Sequence, residues 1–336
     1  MHWVNTMMSE NAIVGAGDIW AEVVCDSQNI WGDRVTTYRL HYPRFIHSEF
    51  MTHRMVSKNA SSSRAIPVHS MLKTIEDQPA LPIHWGMNQP GMQADKVGDA
   101  KRGESLWRIA AEEACQTADA MWDDGNGFHK QVVNRVLEPF TFMNVVATAT
   151  DWENFFWLRY HADAQPEIAE LARVMWEARQ QSTPVTLRYG EYHLPYVDSF
   201  RDNSGMLQYC DDDGDQVYSL DEAIKISSSC CAQASYRKLD QSLEKAIGLY
   251  DRLVGGDPLH ASPFEHPCMP YSEGEHIART KAKTTMVHEL VKSSQYTRDQ
   301  ADTMADISMY CGNFRGFTQY RKMMSNENVK KVFEKS

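Results

Sequence analysis

Pro166 opens the clearest helical register in the chain. Ile168, Leu171, Ala172, Met175 and Trp176 follow at i, i+3, i+4, i+7 and i+8, an apolar stripe that needs a packed layer to cover it. Residues 34–50 carry a different signal, with β-branched and aromatic side chains in rough alternation around Pro43, so strands broken or bent at that proline are expected. Further helices are expected over 104–122, ended by Asp123-Asp124-Gly125, over 221–236, over 240–254, closed by Gly255-Gly256, and once or twice within 275–311. The expected class is a helix-rich α+β fold. Residues 198–219, rich in Asp, Gly and Ser, read as a surface excursion or linker between two halves, 1–197 and 220–336.

A chain of 336 residues, 42% of them hydrophobic, can bury one large core or two ordinary ones. Its formal net charge of -11, from 34 Lys plus Arg against 45 Asp plus Glu, argues against a nucleic-acid polymer or an anionic membrane as partner. Any phosphate it binds must therefore meet a local basic pocket. No uninterrupted apolar run reaches the roughly 18 residues of a membrane span. Residues 1–16 lack the basic and apolar regions of a signal peptide. The 7 cysteines are scattered, odd in number and without a C-x-x-C pair, which reads as reduced thiols in the cytoplasm. Cys230 and Cys231 read as packed small hydrophobes.

Three polar clusters carry the chemistry. The first runs from Thr52 to Arg64 (THRMVSKNASSSR), where cations, an imidazole and hydroxyls among small residues suit an anion such as phosphate; composition alone favours a solvated basic loop. The second, Asn154 to Gln165 (NFFWLRYHADAQ), sets Arg159, His161 and Asp163 beside aromatics that could hold a planar ring, or could be core aromatics with an arginine reaching water. The third, His260 to His266 (HASPFEH), lacks H-E-x-x-H spacing, and the Asp-rich run at 211–215 lacks calcium-loop ligands, so no metal is expected.

Together the clusters resemble the flavin-dependent thymidylate synthases. That family's R-H-R-x-x-S-x-N-E-x-S-x-R signature is matched by Thr52, His53, Arg54, Ser57, Asn59, Ser62 and Arg64 at the same spacing. A second family block is similar to Arg135-Val136-Leu137-Glu138-Pro139 followed by residues 158–168, and H-x-S-P-F-E-H is intact at His260 to His266. The motif order is unusual, because H-x-S-P-F-E-H precedes R-H-R in the family and here lies far downstream. A circularly permuted, phage-like member is expected, both halves forming one catalytic domain. Residues 312–321 (GNFRGFTQYR) weakly match a duplicated strand.

The resemblance implies a central sheet with flanking helices and a one-carbon transfer from methylenetetrahydrofolate to C5 of a pyrimidine deoxynucleotide monophosphate, dUMP to dTMP. FAD would be the cofactor, NADPH the reductant, a homotetramer the assembly, and the cytoplasm, or a host's cytoplasm, the location. By position, Ser62, Ser63, Arg64 and Arg135 would bind nucleotide, and Arg159 would be the catalytic arginine polarising the pyrimidine N3 and O2 edge. Thr52, His53, Arg54, Asn154, Asp163 and Ser262 fall at cofactor-contacting positions.

Several residues depart from the family pattern. Thr52 stands for its first Arg, Ala60 for the Glu after the motif Asn, Glu49 for a Gln, and Asp163 for a His, with His161 nearby. Glu49 or Asp163 could accept from the 4-amino group of cytosine, so dCMP, even its 5-hydroxymethylation, is an alternative substrate reading, and Glu49 joins the nucleotide set. A non-catalytic nucleotide-binding homologue and a purely structural helical protein are the readings from other classes.

Overall fold

The computed structural model describes residues 9–122, 127–234, 239–256 and 259–328. The first half contains β1 (Ile13–Val14), β2 (Trp20–Asn29), β3 (Arg34–Pro43), α1 (His47–Met51), β4 (Ser57–Ala60), α2 (Val68–Asp77), α3 (Ala100–Met121), α4 (Lys130–Leu137) and β5 (Phe142–Ala149). After these come α5 (Glu153–Arg159), α6 (Pro166–Gln181), β6 (Val185–Leu187), β7 (Asp198–Arg201), β8 (Leu207–Cys210), β9 (Val217–Tyr218) and α7 (Leu220–Ala232). The remaining elements are α8 (Leu243–Val254), β10 (Cys268–Pro270), α9 (Glu273–Lys292), α10 (Arg298–Ala305), β11 (Tyr310–Cys311), β12 (Phe314–Arg315), β13 (Phe317–Gln319) and α11 (Tyr320–Met323). Helices and sheet together make the α+β fold expected.

The central sheet runs β1-β2-β3-β5-β4, antiparallel throughout, with β6 added parallel to β2. Strand geometry sends alternate side chains to opposite faces. Tyr38, Leu40 and Tyr42 of β3 lie opposite Ala147, Val145 and Met143 of β5, and this face packs on Ile168, Leu171 and Met175 of α6 and Phe155 of α5. The buried Tyr38 hydroxyl donates to the Met175 carbonyl at 3.2 Å, which offsets its removal from water. Pro166 is a first-turn residue of α6, as its register predicts, and the Gln165 side chain caps it by accepting from the Ile168 N–H.

The other sheet face carries Thr37, Arg39 and His41 opposite Thr148, Val146 and Asn144. Residues 187–320 gather a second core, including Leu194, Leu207, Ile226, Phe314 and Phe317, which reaches the sheet at Val35. Beneath it, two buried histidines join the sheet hydroxyls in a continuous polar chain. Ser27 Oγ lies 2.9 Å from His193 Nδ1, His193 Nε2 lies 2.8 Å from Thr37 Oγ1, Thr37 Oγ1 lies 2.7 Å from Thr148 Oγ1, and Thr148 Oγ1 lies 2.8 Å from His266 Nδ1. A third core, made of residues from α2, α3 and α4, sits to one side.

Pro43 ends β3, the break expected at the proline. Other expectations need correction: beyond Pro43 the chain continues not as strand but as a 3-10 turn over Arg44–Ile46 and then α1. The reason is that Ile46 and Phe50, spaced i, i+4, both enter the core, while the Arg44 N–H is taken by the Thr141 carbonyl at 2.8 Å. Residues 198–219 are not a linker but the antiparallel meander β7-β8-β9, with Leu207, Tyr209 and Cys210 buried and the Asp-, Gly- and Ser-rich stretches forming its turns. Helix α3 begins earlier than expected, at Ala100, because the Asp99 side chain accepts from the Arg102 N–H. The expected stop at Asp123-Asp124-Gly125 lies outside the described residues, whereas the helix expected over 221–236 ends earlier, at Ala232, with the Gln233 N–H on the Cys230 carbonyl. Cys230 and Cys231 are buried in α7 as packed thiols. Among the described residues no helix is long and apolar enough to cross a membrane.

Candidate active site

Helix α1 ends by folding its own last turn closed. The Thr52 hydroxyl donates to the Glu49 carbonyl at 2.7 Å, and the His53 N–H donates to the Phe50 carbonyl at 3.2 Å. With Phe50 anchored in the core, the Thr52–His53 corner is fixed beside the C-terminal end of α5. That helix is seated by three buried aromatics, Trp152, Phe155 and Phe156, and the Trp152 indole N–H donates to the Thr36 carbonyl at 3.3 Å.

The first and second sequence clusters meet here. Arg159 Nε donates to His53 Nε2 at 2.9 Å, and Arg159 Nη2 donates to Thr52 Oγ1 at 3.3 Å. The His53 ring also stands edge-on to Phe155, with centroids 4.9 Å apart. Burial first, then the charges of Arg159 and Lys58, push the imidazole down to about 4. At neutral pH His53 is therefore uncharged and can accept. Trp157, Leu158 and Tyr160 leave an exposed apolar surface beside Arg159.

Lys58, on β4, is one of the cations of the first cluster, without a role of its own in the family pattern. It donates to the His53 and Val56 carbonyls, and burial pushes its ammonium down to about 8. The third cluster closes on the same strand. Gln319 Nε2 donates to Ser57 Oγ at 3.0 Å and to the Glu265 carbonyl at 2.9 Å, Asn313 Nδ2 donates to Ser57 Oγ at 3.2 Å, and Arg321 pairs with Glu265. Asn59 Nδ2 donates to the Cys231 carbonyl at 3.0 Å. The weakly matching residues 312–321 are thus part of what holds the first motif in place.

Ser63 and Arg135 converge on one carboxylate. Ser63 Oγ donates to Glu138 Oε1 at 2.6 Å, Arg135 Nη1 lies 2.9 Å from the same oxygen, and Arg44 Nη1 lies 3.5 Å from it. Desolvation lowers the Arg44 pKa, and the nearby Glu138 opposes that shift. Glu138 and Arg44 were missed because their meeting depends on tertiary approach of two 3-10 turns, Arg44–Ile46 before α1 and Glu138–Phe140 after α4. Ser62 is half-buried, whereas Arg64 is exposed.

The remaining expected residues lie nearer solvent. Glu49 accepts from Ser48 Oγ at 2.8 Å, and Asp163 sits in the turn after α5, where its N–H donates to His161 Nδ1 at 3.1 Å. Ser262 opens the 3-10 turn that leads to His266. Arg54, Arg64 and Asn154 are exposed and have no partner among the described residues. FAD, which the resemblance implies, needs cationic and amide donors for its pyrophosphate and ring edge, and this open donor set fits such a group. By the family positions Arg54, Asn154 and Ser262 would donate to it and Asp163 would accept from its ring edge, and the chemistry it supplies when bound is the transfer of reducing equivalents.

No curated protein matches the chain. Solved structures similar over part of it include the following two. The UMP/dUMP methylase PolB from Streptomyces cacaoi, bound with 5-Br dUMP, is 20% identical over 44% of this chain and 67% of its own, with a TM-score of 0.35. Thymidylate Synthase X from Helicobacter pylori, with FAD and dUMP, is 13% identical over 43% of this chain and 67% of its own, with a TM-score of 0.32. The family model described as thymidylate synthase complementing protein matches residues 33–185, a stretch that contains Thr52–Arg64, Arg135 and Arg159. Over residues 33–185 the chain is therefore similar to the thymidylate synthase complementing protein family.

Proposed function

We propose that this chain is a transferase that moves a one-carbon unit from methylenetetrahydrofolate to C5 of a pyrimidine deoxynucleotide monophosphate, converting dUMP to dTMP with FAD as cofactor and NADPH as reductant. The observation that carries the reading is the junction of the first two motifs at Arg159, whose guanidinium is held by His53 and Thr52. A fixed cation at the N3 and O2 edge would stabilise negative charge there and raise electron density at C5, with no cysteine nucleophile needed. Ser62, Ser63, Arg64 and Arg135 would take the phosphate, Ser63 and Arg135 exchanging Glu138 for it. The third motif, packed against β4, would complete the site from the permuted half. The exposed Trp157, Leu158 and Tyr160 would be covered in a homotetramer.

A second reading, dCMP as substrate with methyl or hydroxymethyl product, is favoured by the donor pattern of Arg159. Its free N–H groups match an unprotonated N3, which neutral cytosine presents and neutral uracil does not. The test is incubation with FAD, methylenetetrahydrofolate, NADPH and either dUMP or dCMP, followed by mass analysis. Formation of dTMP alone supports the first reading and removes the second. Protein that stays colourless with FAD and turns over neither nucleotide would leave a binding homologue.

A further inference from the structure

The guanidinium of Arg159 presents five N–H donors in one plane, arranged as a side-on pair from Nε and Nη2 and an end-on pair from Nη1 and Nη2. In this chain the side-on pair is already occupied. His53 Nε2 takes the Nε hydrogen at 2.9 Å and Thr52 Oγ1 takes an Nη2 hydrogen at 3.3 Å. Among the described residues nothing accepts from the end-on pair.

Both acceptors are themselves committed to that role. The single Thr52 hydroxyl proton goes to the Glu49 carbonyl at 2.7 Å, so only lone pairs face Arg159. For His53, acceptance through Nε2 places the ring proton on Nδ1. Its backbone carbonyl is gripped by Lys58 and by the Val56 N–H at 3.4 Å. Phe155 and Arg159 are one turn apart on α5, so the His53 ring is set against Phe155 on the same helix face that delivers the guanidinium.

We propose that His53 and Thr52 are positioning residues that lock the side-on edge of Arg159 and aim its end-on edge as a two-pronged donor at adjacent acceptors, the O2 and unprotonated N3 of a pyrimidine. The ligand half of this statement rests on the proposed function; the positioning half does not. Because the His53 contact is shorter and carries the Nε hydrogen, His53 dominates and Thr52 trims the rotation.

The test uses the full chain labelled with ¹⁵N-arginine. The Arg159 Nε–H resonance, assigned by its loss in Arg159→Lys, is expected to be protected from solvent exchange. His53→Ala should speed that exchange by about tenfold to a hundredfold, the range of a lost hydrogen bond to a charged group. His53→Gln, which restores an acceptor, should recover much of it, and Thr52→Val should give a smaller change that Thr52→Ser reverses. In pyrimidine turnover the same series should lower kcat/KM by about a hundredfold in His53→Ala, with partial rescue in His53→Gln. An Arg159 resonance unmoved by both His53→Ala and His53→Gln overturns the proposal, as does an unmoved kcat/KM in an active parent. Should the parent turn over no pyrimidine nucleotide, the functional reading and the ligand half fall, while the exchange measurement still decides the positioning half.

Discussion

Replacing Thr148 by Val would cut the buried polar chain at its centre while leaving its shape almost unchanged. Among the described residues Thr148 alone links Thr37 Oγ1, 2.7 Å away, to His266 Nδ1, 2.8 Å away, and all three residues are fully buried. Valine fills the same volume, so no cavity cost enters; what is lost is pairing. The His266 ring already has Nε2 without a partner among the described residues, and the substitution would orphan Nδ1 as well. A buried group left unpaired costs about 1–3 kcal/mol, and with Thr37 losing one of its two contacts the expected loss is about 2–4 kcal/mol. Urea unfolding at neutral pH measures it, with Thr148→Ser, which keeps the hydroxyl, as the control. In the double variant with Thr37→Val the two costs should fall short of their sum, because both remove the same hydrogen bond. A loss below about 0.5 kcal/mol for Thr148→Val, or strict additivity in the double variant, would refute the reasoning.

The same buried histidines set an acid limit. Burial pushes His193 and His266 each down to about 3, so below the ordinary 6.5 the unfolded chain takes up protons that the folded chain refuses. Their contribution is complete above about 6.5 and is lost as pH falls toward 3, by about 1.4 kcal/mol per pH unit for each group, and stability rising on acidification from 6.5 to 5 would contradict it. Gly316 sits at φ +72°, where an added Cβ would lie 2.2 Å from Asp33 Oδ2 and 2.6 Å from Asn29 Nδ2. Gly316→Ala should therefore cost about 2 kcal/mol or more in urea unfolding, and parental stability would show that the turn can relax. Arg159→Lys keeps the charge but removes the fork, so turnover should drop by about a hundredfold or more, and a near-parental rate would remove Arg159 from its assigned role.

What could be read from the sequence was whatever is written locally. The α6 register, the β3 alternation and the glycine at the C-terminal end of α8 are patterns of neighbours, and they fold as their spacing says. Residues 44–51 misled because Ile46 and Phe50, at helical spacing, are hidden in an aromatic run that also fits alternation. The meander at 198–219 misled because its turns dominate the composition while a few buried side chains decide its place. At the site, Thr52, His53 and Arg159 were visible as motif residues, but their mutual contact was not. The chain through His193, Thr37 and Thr148 left no local trace, nor did the meeting of Arg44 and Ser63 with Glu138, since these side chains meet only when distant strands and turns pack.

The anchoring of Ser57 by Gln319 spans 262 positions of sequence. During synthesis at roughly 5–20 residues per second, the strand that carries the Thr52–Arg64 cluster would leave the ribosome tens of seconds before the residues that fasten it. Through that interval Ser57 faces either water or a wrong partner, and the nascent chain holds a basic loop without its clamp. Folding is then paced by the last arrivals, so a late pause or a truncation near residue 319 would disable a site whose motif residues were all made long before.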